Sequence, residues 1–315
     1  MAVLLQPGAV QRLHKSKSCI IVVTIFFIVF SSHRFASYKM NTTVWEKAPI
    51  NHIERQCPPT GYPVIQSKSE AGKICITTLT DAKRADPLQN MLRWRNFNSL
   101  LEMTWPNKEA YAKKHGYYLF DESNSLDTSR PPSWSKIKAA QRLLTEEKCD
   151  WVFWLDADTV IMNSAKTIES FLPAAEGKDL LITAQKGGSY NAGAWLIRNT
   201  EWAREFLDHW WNMDSFVKPK GLSVSGDNDA LKSYLTESMS KEYFDQHILV
   251  PPRCTFNSVT VFLSPEDAAA LAPEQVKEQE WYMHLEKYHK GDFIAHVAGK
   301  NNKIDTTAML LKDAV

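Results

Sequence analysis

The chain has 315 residues, enough for one large domain or two small ones. Lysine and arginine number 37 against 36 for aspartate and glutamate, a formal net charge of +1, so no extended basic field exists and nucleic acid is disfavoured as a main partner. Tryptophan is abundant at 11 residues, which suits an aromatic core and stacking on sugar rings.

Arg12, His14, Lys15 and Lys17 precede an apolar run of 12 residues, Cys19 to Phe30, that Ser31 and Ser32 extend. The run is shorter than the roughly 20 residues that span a typical bilayer. No small-x-small cleavage site follows, since His33, Arg34 and Phe35 come next. Residues 18–38 are read as an uncleaved signal-anchor helix suited to a thin membrane, with a cleaved signal peptide as the rival reading. The basic cluster keeps the tail 1–17 cytoplasmic and the remainder lumenal. Residues 39–72, with the sequon Asn41-Thr42-Thr43 and with Pro49, Pro58, Pro59, Gly61 and Pro63, read as an extended lumenal stem. Residues 73–315 are read as the folded domain, the part of the chain that would carry any activity. Cys57, Cys75, Cys149 and Cys254 match no zinc spacing. An oxidising lumen would permit a disulfide, but Cys75 and Cys149 are expected as inert packing beside strands.

Lys73 to Thr80 reads as a strand, and Asp86-Pro87 starts a helix with a cap and a first-turn proline. Trp94, Phe97, Leu101 and Trp105 share one face of that helix. Pro106-Asn107 is expected to break it, and a second helix runs through Tyr111 to His115-Gly116, where glycine makes a good stop. Tyr117 to Phe120 is the next strand. This alternation predicts a mostly parallel sheet. No Gly-x-Gly-x-x-Gly or Walker pattern follows the first strand, which disfavours a dinucleotide fold and a P-loop enzyme. The hydroxyls of Thr77, Thr78 and Thr80 can reach a base or ribose, although threonine also simply suits a strand. Ser133 is placed to cap a helix lined by Ile137, Ala140 and Leu144. Lys136 lies in its first turn, where a cation gains nothing from the helix dipole; a bound phosphate would account for it, and so would an ordinary surface position.

The centre of the chain is Asp150-Trp151-Val152-Phe153-Trp154-Leu155-Asp156-Ala157-Asp158. Five apolar, β-prone residues suit a strand buried on both faces, though a buried helical turn has the same pattern. A strand ending in acids delivers them to the carboxyl edge of a sheet, where open α/β folds bind ligands. Asp156 and Asp158, held between two apolar runs, repel each other unless a cation lies between them. Hard oxygen donors suit Mn²⁺ or Mg²⁺ shared with substrate phosphates. A solvated turn after a core strand is the plainer alternative.

Gly187-Gly188-Ser189-Tyr190-Asn191-Ala192-Gly193 leads into another strand, where small residues let backbone approach a ligand and Asn191 offers both donors and acceptors. Trp202, Phe206 and Trp210 fall at helical spacing and read as packing. Gly226-Asp227-Asn228-Asp229-Ala230-Leu231 opens a helix; its acids either complement the dipole or bring Asp227 or Asn228 near a reacting carbon. His247 to Pro252 is a short strand, 264–290 a peripheral helical stretch, and the last dozen residues are uninformative. His296, after the short apolar strand Phe293 to Ala295 and before Gly299-Lys300, is a candidate third metal ligand.

Together these motifs resemble glycosyltransferase family 34, the galactosyl- and mannosyltransferase family that also contains plant xyloglucan xylosyltransferases. The resemblance covers about residues 73–300. It rests on Tyr111-Ala112 through His115-Gly116-Tyr117, Trp134-Ser135-Lys136, Trp154 through Asp158, Asn191-Ala192-Gly193 through Ile197-Arg198-Asn199, Gly226 through Leu231, and His296 through Lys300. It implies an α/β fold of the GT-A type, a single-pass type II Golgi membrane protein, a UDP- or GDP-sugar donor, a glycan acceptor, Mn²⁺ with Mg²⁺ as the alternative, and retention of anomeric configuration. Association with related transferases is a further expectation. Carried over by position, Asp156, Asp158 and His296 would hold the ion, Lys300 would meet the phosphates, and Asn191, Asp227 and Asn228 would line the donor sugar. Two positions depart from the family pattern: Gly226-Asp227-Asn228 stands where Asp-Asp-Gln is common, and Lys300 stands where a cysteine often follows the glycine. The competing classes are a membrane-tethered carbohydrate-binding protein or inactive paralogue, and a nucleotidyltransferase releasing pyrophosphate.

Overall fold

The computed structural model describes residues 71–81, 99–185, 189–220, 224–260, 273, 287–299 and 303–314. The anchor, the stem up to residue 70 with its sequon, the helix start at Asp86, Gly187-Gly188, most of 264–290 and Lys300 lie outside the described residues. Among the described residues no helix is long and apolar enough to cross a membrane.

The strand at the centre is β3, Trp151–Leu155, and all five residues are buried. Period-two alternation divides it between two cores. Val152 and Trp154 enter one, with Trp134, Trp195 and Trp210. Trp151, Phe153 and Leu155 enter the other, with Tyr111, Phe256 and Phe293. On one edge β3 pairs in parallel with β1, Ile74–Thr78. Beyond β1 lies β2, Tyr118–Asp121, also parallel.

On the other edge a single strand runs against the rest of the expected mostly parallel sheet. There β3 pairs antiparallel with β6, Ser189–Arg198, which pairs antiparallel with β5, Leu180–Gln185. Gln185 and Ser189 are separated by three residues, too few for the crossover that a parallel pair requires. Outside β5 lies β7, Ile248–Leu249, again parallel. The six-stranded sheet β2-β1-β3-β6-β5-β7 is therefore mixed. A second sheet has the order β4-β9-β8, with β4 Thr159–Ile161, β8 Ser258–Val259 and β9 Ile294–His296.

Helix α1, Leu100–His115, runs through Pro106 without the expected break. Pro106 forfeits one amide donor, but side chains on both sides of it bond to a neighbouring strand and hold the helix in place. Gly116 ends it in the left-handed conformation (φ 73°), with its N–H on the Ala112 carbonyl. Helix α2, Ser135–Thr145, follows a short turn at Pro132–Trp134, and Ser133 does not cap it. Helix α3, Glu201–Trp211, is capped by the Thr200 hydroxyl and buries Trp202, Phe206 and Trp210. Helix α4 spans Asp227–Ser233 and α5 spans Lys241–His247. The C-terminal stretch is helical, α6 at Lys303–Asp313.

Cys75 and Cys149 form a disulfide, which corrects their expected role as inert packing. The bond ties β1 to the segment entering β3. Cys254 is also disulfide-bonded.

Candidate active site

The carboxyl end of β3 opens into a cleft of about 520 Å³. The chain turns immediately after Leu155. The Thr159 N–H and hydroxyl both bond to the Asp156 carbonyl, at 3.1 and 2.8 Å. The turn faces Asp156 and Asp158 toward β9, whose His296 lies opposite Thr159 across the β4–β9 pair.

Asp156, Asp158 and His296 thus converge from distant parts of the chain, each offering a ligand atom within 4.8 Å of the others. His296 Nε2 lies 3.3 Å from Asp158 Oδ1 and 3.9 Å from Asp156 Oδ2. Its other nitrogen, Nδ1, sits 2.9 Å from Asn257 Oδ1, and Asn257 donates to the Thr183 hydroxyl at 3.0 Å. With Nδ1 held toward that amide oxygen, Nε2 faces the carboxylates, donating to them when the ring is protonated and offering its lone pair to an ion in the proton's place. The ring packs where Gly193 has no side chain; a Cβ there would lie 2.1 Å from His296 Cε1. Two carboxylates and an imidazole, with a partner orienting the imidazole, fit Mn²⁺ or Mg²⁺ by donor chemistry. Lys303, at the start of α6, bonds to Asp158 Oδ2 and to the Val297 carbonyl. Burial opposes ionisation of Asp158, yet Lys303 and His296 outweigh it and hold the carboxyl far below the usual range.

The second half of the site centres on Lys136, which is neither an exposed lysine nor free for a phosphate. Its ammonium lies 3.2 Å from Asp156 Oδ1, 3.1 Å from Asp227 Oδ2 and 3.1 Å from the Ala192 carbonyl. Burial works against its charge, but the two carboxylates prevail and raise its pKa above the ordinary lysine value. The Trp154 indole N–H also donates to Asp156 Oδ1, at 2.8 Å. Asp227 Oδ1 accepts from the Ser225 hydroxyl at 2.6 Å and from Ser133 at 3.1 Å. Burial tends to raise the Asp227 pKa; Lys136 and the two serines lower it on balance.

Backbone anchoring places this group. Trp210 Nε1 donates to the Asp227 carbonyl and Trp134 Nε1 to the Ser225 carbonyl. Gly226 between them is left-handed (φ 89°), and a Cβ there would lie 1.8 Å from the Phe216 carbonyl oxygen. Asn228 Oδ1 accepts from the Ala192 N–H at 2.9 Å, and Asn191 Oδ1 accepts from the Gly193 N–H at 2.8 Å. Both asparagines line the cleft.

Thr77 and Thr78 are placed elsewhere. Both are fully buried in β1 and do not line the cleft, which Leu79, Thr80 and Asp81 border instead. Sequence reasoning missed Lys303, Asn257, and the roles of Ser133 and Ser225. Lys303 lies three residues past Lys300 in a stretch without a motif, and Asn257 belongs to no pattern. Ser133 carries a signal, adjacent to Trp134-Ser135-Lys136, but a serine ahead of a helix reads in sequence as a cap.

A mixed α/β sheet with acids at the end of its central strand, a histidine drawn up to them and two buried lysines among them gives the chain a cleft whose donor set fits a cation. The sequence profile of the galactosyl transferase GMA12/MNN10 family matches residues 71–175 and 173–306, and the chain belongs to that family. It is 28% identical over 252 residues to the probable α-1,6-mannosyltransferase MNN10 of Saccharomyces cerevisiae, covering 67% of this chain and 58% of the relative. Xyloglucan 6-xylosyltransferase 4 of Arabidopsis thaliana is 24% identical over 221 residues, covering 61% and 40%. The matched part of the chain thus spans less than two thirds of either relative's length. Among solved structures, a glycosyltransferase involved in the glycosylation of the major capsid of PBCV-1 superposes with a TM-score of 0.47 at 15% identity, covering 76% of this chain and 99% of that one. The galactosyltransferase LgtC, in complex with donor and acceptor sugar analogues, superposes with a TM-score of 0.40 at 13% identity, covering 76% and 96%.

Proposed function

We propose that the chain is a retaining glycosyltransferase of GT-A architecture that moves a hexose or pentose from a UDP- or GDP-sugar to a glycan acceptor. The convergence of Asp156, Asp158 and His296 beside the Lys136–Asp227 pair carries this reading. Pure carbohydrate binding has no need of a phosphate-directed cation site, so this cluster favours the enzyme over a lectin-like role. Asp156, Asp158 and His296 would hold Mn²⁺ or Mg²⁺, which when bound serves as a Lewis acid toward the leaving diphosphate.

The chain's own groups divide the remaining work. Lys303 is placed to exchange Asp158 for the phosphates, the role expected from sequence for Lys300. Asp227 has both oxygens engaged, so it is held ionised and oriented. It steadies positive charge developing at the anomeric carbon, and Lys136 restrains it from free nucleophilic attack. Asn228 presents its amide nitrogen to donor hydroxyls, and Asn191, whose amide nitrogen also donates to Gln185 Oε1 at 3.2 Å, presents its second amide hydrogen, while both oxygens bind backbone. The family's setting supports a Golgi location, with 18–38 as the membrane anchor, 39–72 as the stem and 73–315 in the lumen.

The test is a panel of UDP- and GDP-sugars offered to the full-length chain with Mn²⁺. One donor should be consumed with release of a nucleoside diphosphate, and Asp156→Ala and Asp158→Ala should each abolish the turnover. Full activity in either variant removes the metal assignment. Glycan binding with no donor consumed would return the protein to the lectin-like class, and release of pyrophosphate would make it a nucleotidyltransferase.

A further inference from the structure

We propose that Thr104, Asn107 and Lys108 on α1 are positioning residues for the cation site, acting as a surrogate strand that locks Asp158 in register with His296. The inference rests on the metal reading above. Strand β4 has two edges. Alternate residues face β9: the Asp158 carbonyl accepts from the Val297 N–H at 3.0 Å, and the Met162 N–H donates to the Phe293 carbonyl at 2.8 Å. The intervening residues face the other way, toward the outer edge of the three-stranded sheet, where no strand follows among the described residues.

Side chains of α1 occupy that edge. The Thr104 hydroxyl donates to the Ala157 carbonyl at 2.8 Å, and Lys108 Nζ donates to the Thr159 carbonyl at 2.7 Å. Asn107 makes a two-way bond to Ile161, its amide nitrogen on the carbonyl at 2.9 Å and its oxygen accepting the N–H at 2.8 Å. Lys108 also donates to Thr104 Oγ1 at 3.0 Å, so the set is continuous. Residues 157, 159 and 161 are thus each held from α1, and Asp158 lies between two of them. Four helical residues from Thr104 to Lys108 rise about 6 Å, close to the ~6.6 Å of two strand residues, so the helix matches the strand repeat here.

Register makes this matter for the site. A slip of one residue in β4 would turn Asp158 away from His296, because side chains alternate across a strand. Thr104 and Lys108 are fully buried, so water does not replace their bonds. These three residues touch neither cleft nor ligand; their effect passes through the backbone on either side of Asp158.

The experiment measures Mn²⁺ affinity of the full-length chain by electron paramagnetic resonance of free Mn²⁺, well below the unfolding temperature. Thr104→Val keeps the shape and loses the donor, and should weaken Mn²⁺ binding about 10-fold, the scale of lost outer-shell support at metal sites. Thr104→Ser retains the hydroxyl and should bind as wild type. Asn107→Asp loses the donor to Ile161 and should weaken binding in the same direction. A purely structural role would lower Tm and leave the affinity of the folded protein unchanged. Wild-type affinity in both Thr104→Val and Asn107→Asp overturns the proposal, as does Thr104→Ser binding as weakly as Thr104→Val. A wild-type chain that binds no Mn²⁺ overturns the metal reading itself, and the positioning role with it.

Discussion

Two lysines removed from water near the acid motif show how partners set a buried charge. Lys136 has two carboxylates within 3.2 Å, and they raise its pKa. Lys108 is equally buried but bonds only to a hydroxyl and a carbonyl, with Asp158 and Asp156 acting on it from a distance. Burial prevails, and its pKa is pushed down to about 7. The sign for stability follows. Unfolded, Lys108 keeps its proton up to about pH 10.5, whereas the folded protein releases it near pH 7, so between these values the unfolded state binds more protons. Stability from this residue is greatest above pH 10.5, declines as pH falls, and is flat below about 7. Relative to Lys108→Met, the wild type should gain on the order of 5 kcal/mol across that window. Denaturant unfolding of both proteins at pH 6 to 9 reads the early part of the gain. Parallel curves would mean that Lys108 is charged in the fold.

The elements differ in how openly the sequence declared them. Trp151 to Leu155 was legible as a strand because five β-prone apolar residues leave no polar face. Trp202, Phe206 and Trp210 were legible as a buried helical face by their spacing. Asp156, Asp158 and His296 stood out because charged or titratable groups follow apolar runs. The antiparallel β5–β6 pair was not legible, since its cue is a short connection between strands rather than any periodicity within them. Thr77 and Thr78 misled because the hydroxyls of a strand buried on both faces look, in sequence, like those of a strand end. Lys303 and Asn257 contribute single atoms from segments without pattern, and only tertiary packing brings them in. The disulfide was hidden for the same reason: 74 residues separate its cysteines, and the adjacency of β1 and β3 alone brings them together. That separation gives the bond weight. Closing a loop of this length in the unfolded chain predicts about 4 kcal/mol of stabilisation in the chain-entropy account. Cys149→Ser should therefore lower the unfolding free energy by roughly 2–4 kcal/mol, measured in urea, with little change in Mn²⁺ affinity because the bond lies at the opposite end of β3 from the acids. An unchanged midpoint would show that the native pairing constrains nothing the unfolded chain explores.

At the scale of the whole molecule, the site joins two sheets. Asp156 leaves the last residue of β3 in the six-stranded sheet, and His296 ends β9 in the three-stranded one. Between them, ion pairs from Lys136 and Lys303 already offset part of the negative charge. A divalent ion bound to all three ligands would tie the sheets together directly. In the unfolded chain the ligands are separated by the 137 residues between Asp158 and His296, so the ion binds the folded state almost alone. Linkage then sets the size of the effect: Mn²⁺ at a hundred times its dissociation constant should add roughly 2.7 kcal/mol of stability. We expect Tm to rise by several degrees on adding Mn²⁺ and to fall back on adding a chelator. His296→Ala removes the ligand that the small sheet supplies, so it should abolish the shift even where the variant remains folded. An equal Mn²⁺-induced rise in His296→Ala would place the ion on Asp156 and Asp158 alone, and the small sheet would then have no part in holding it.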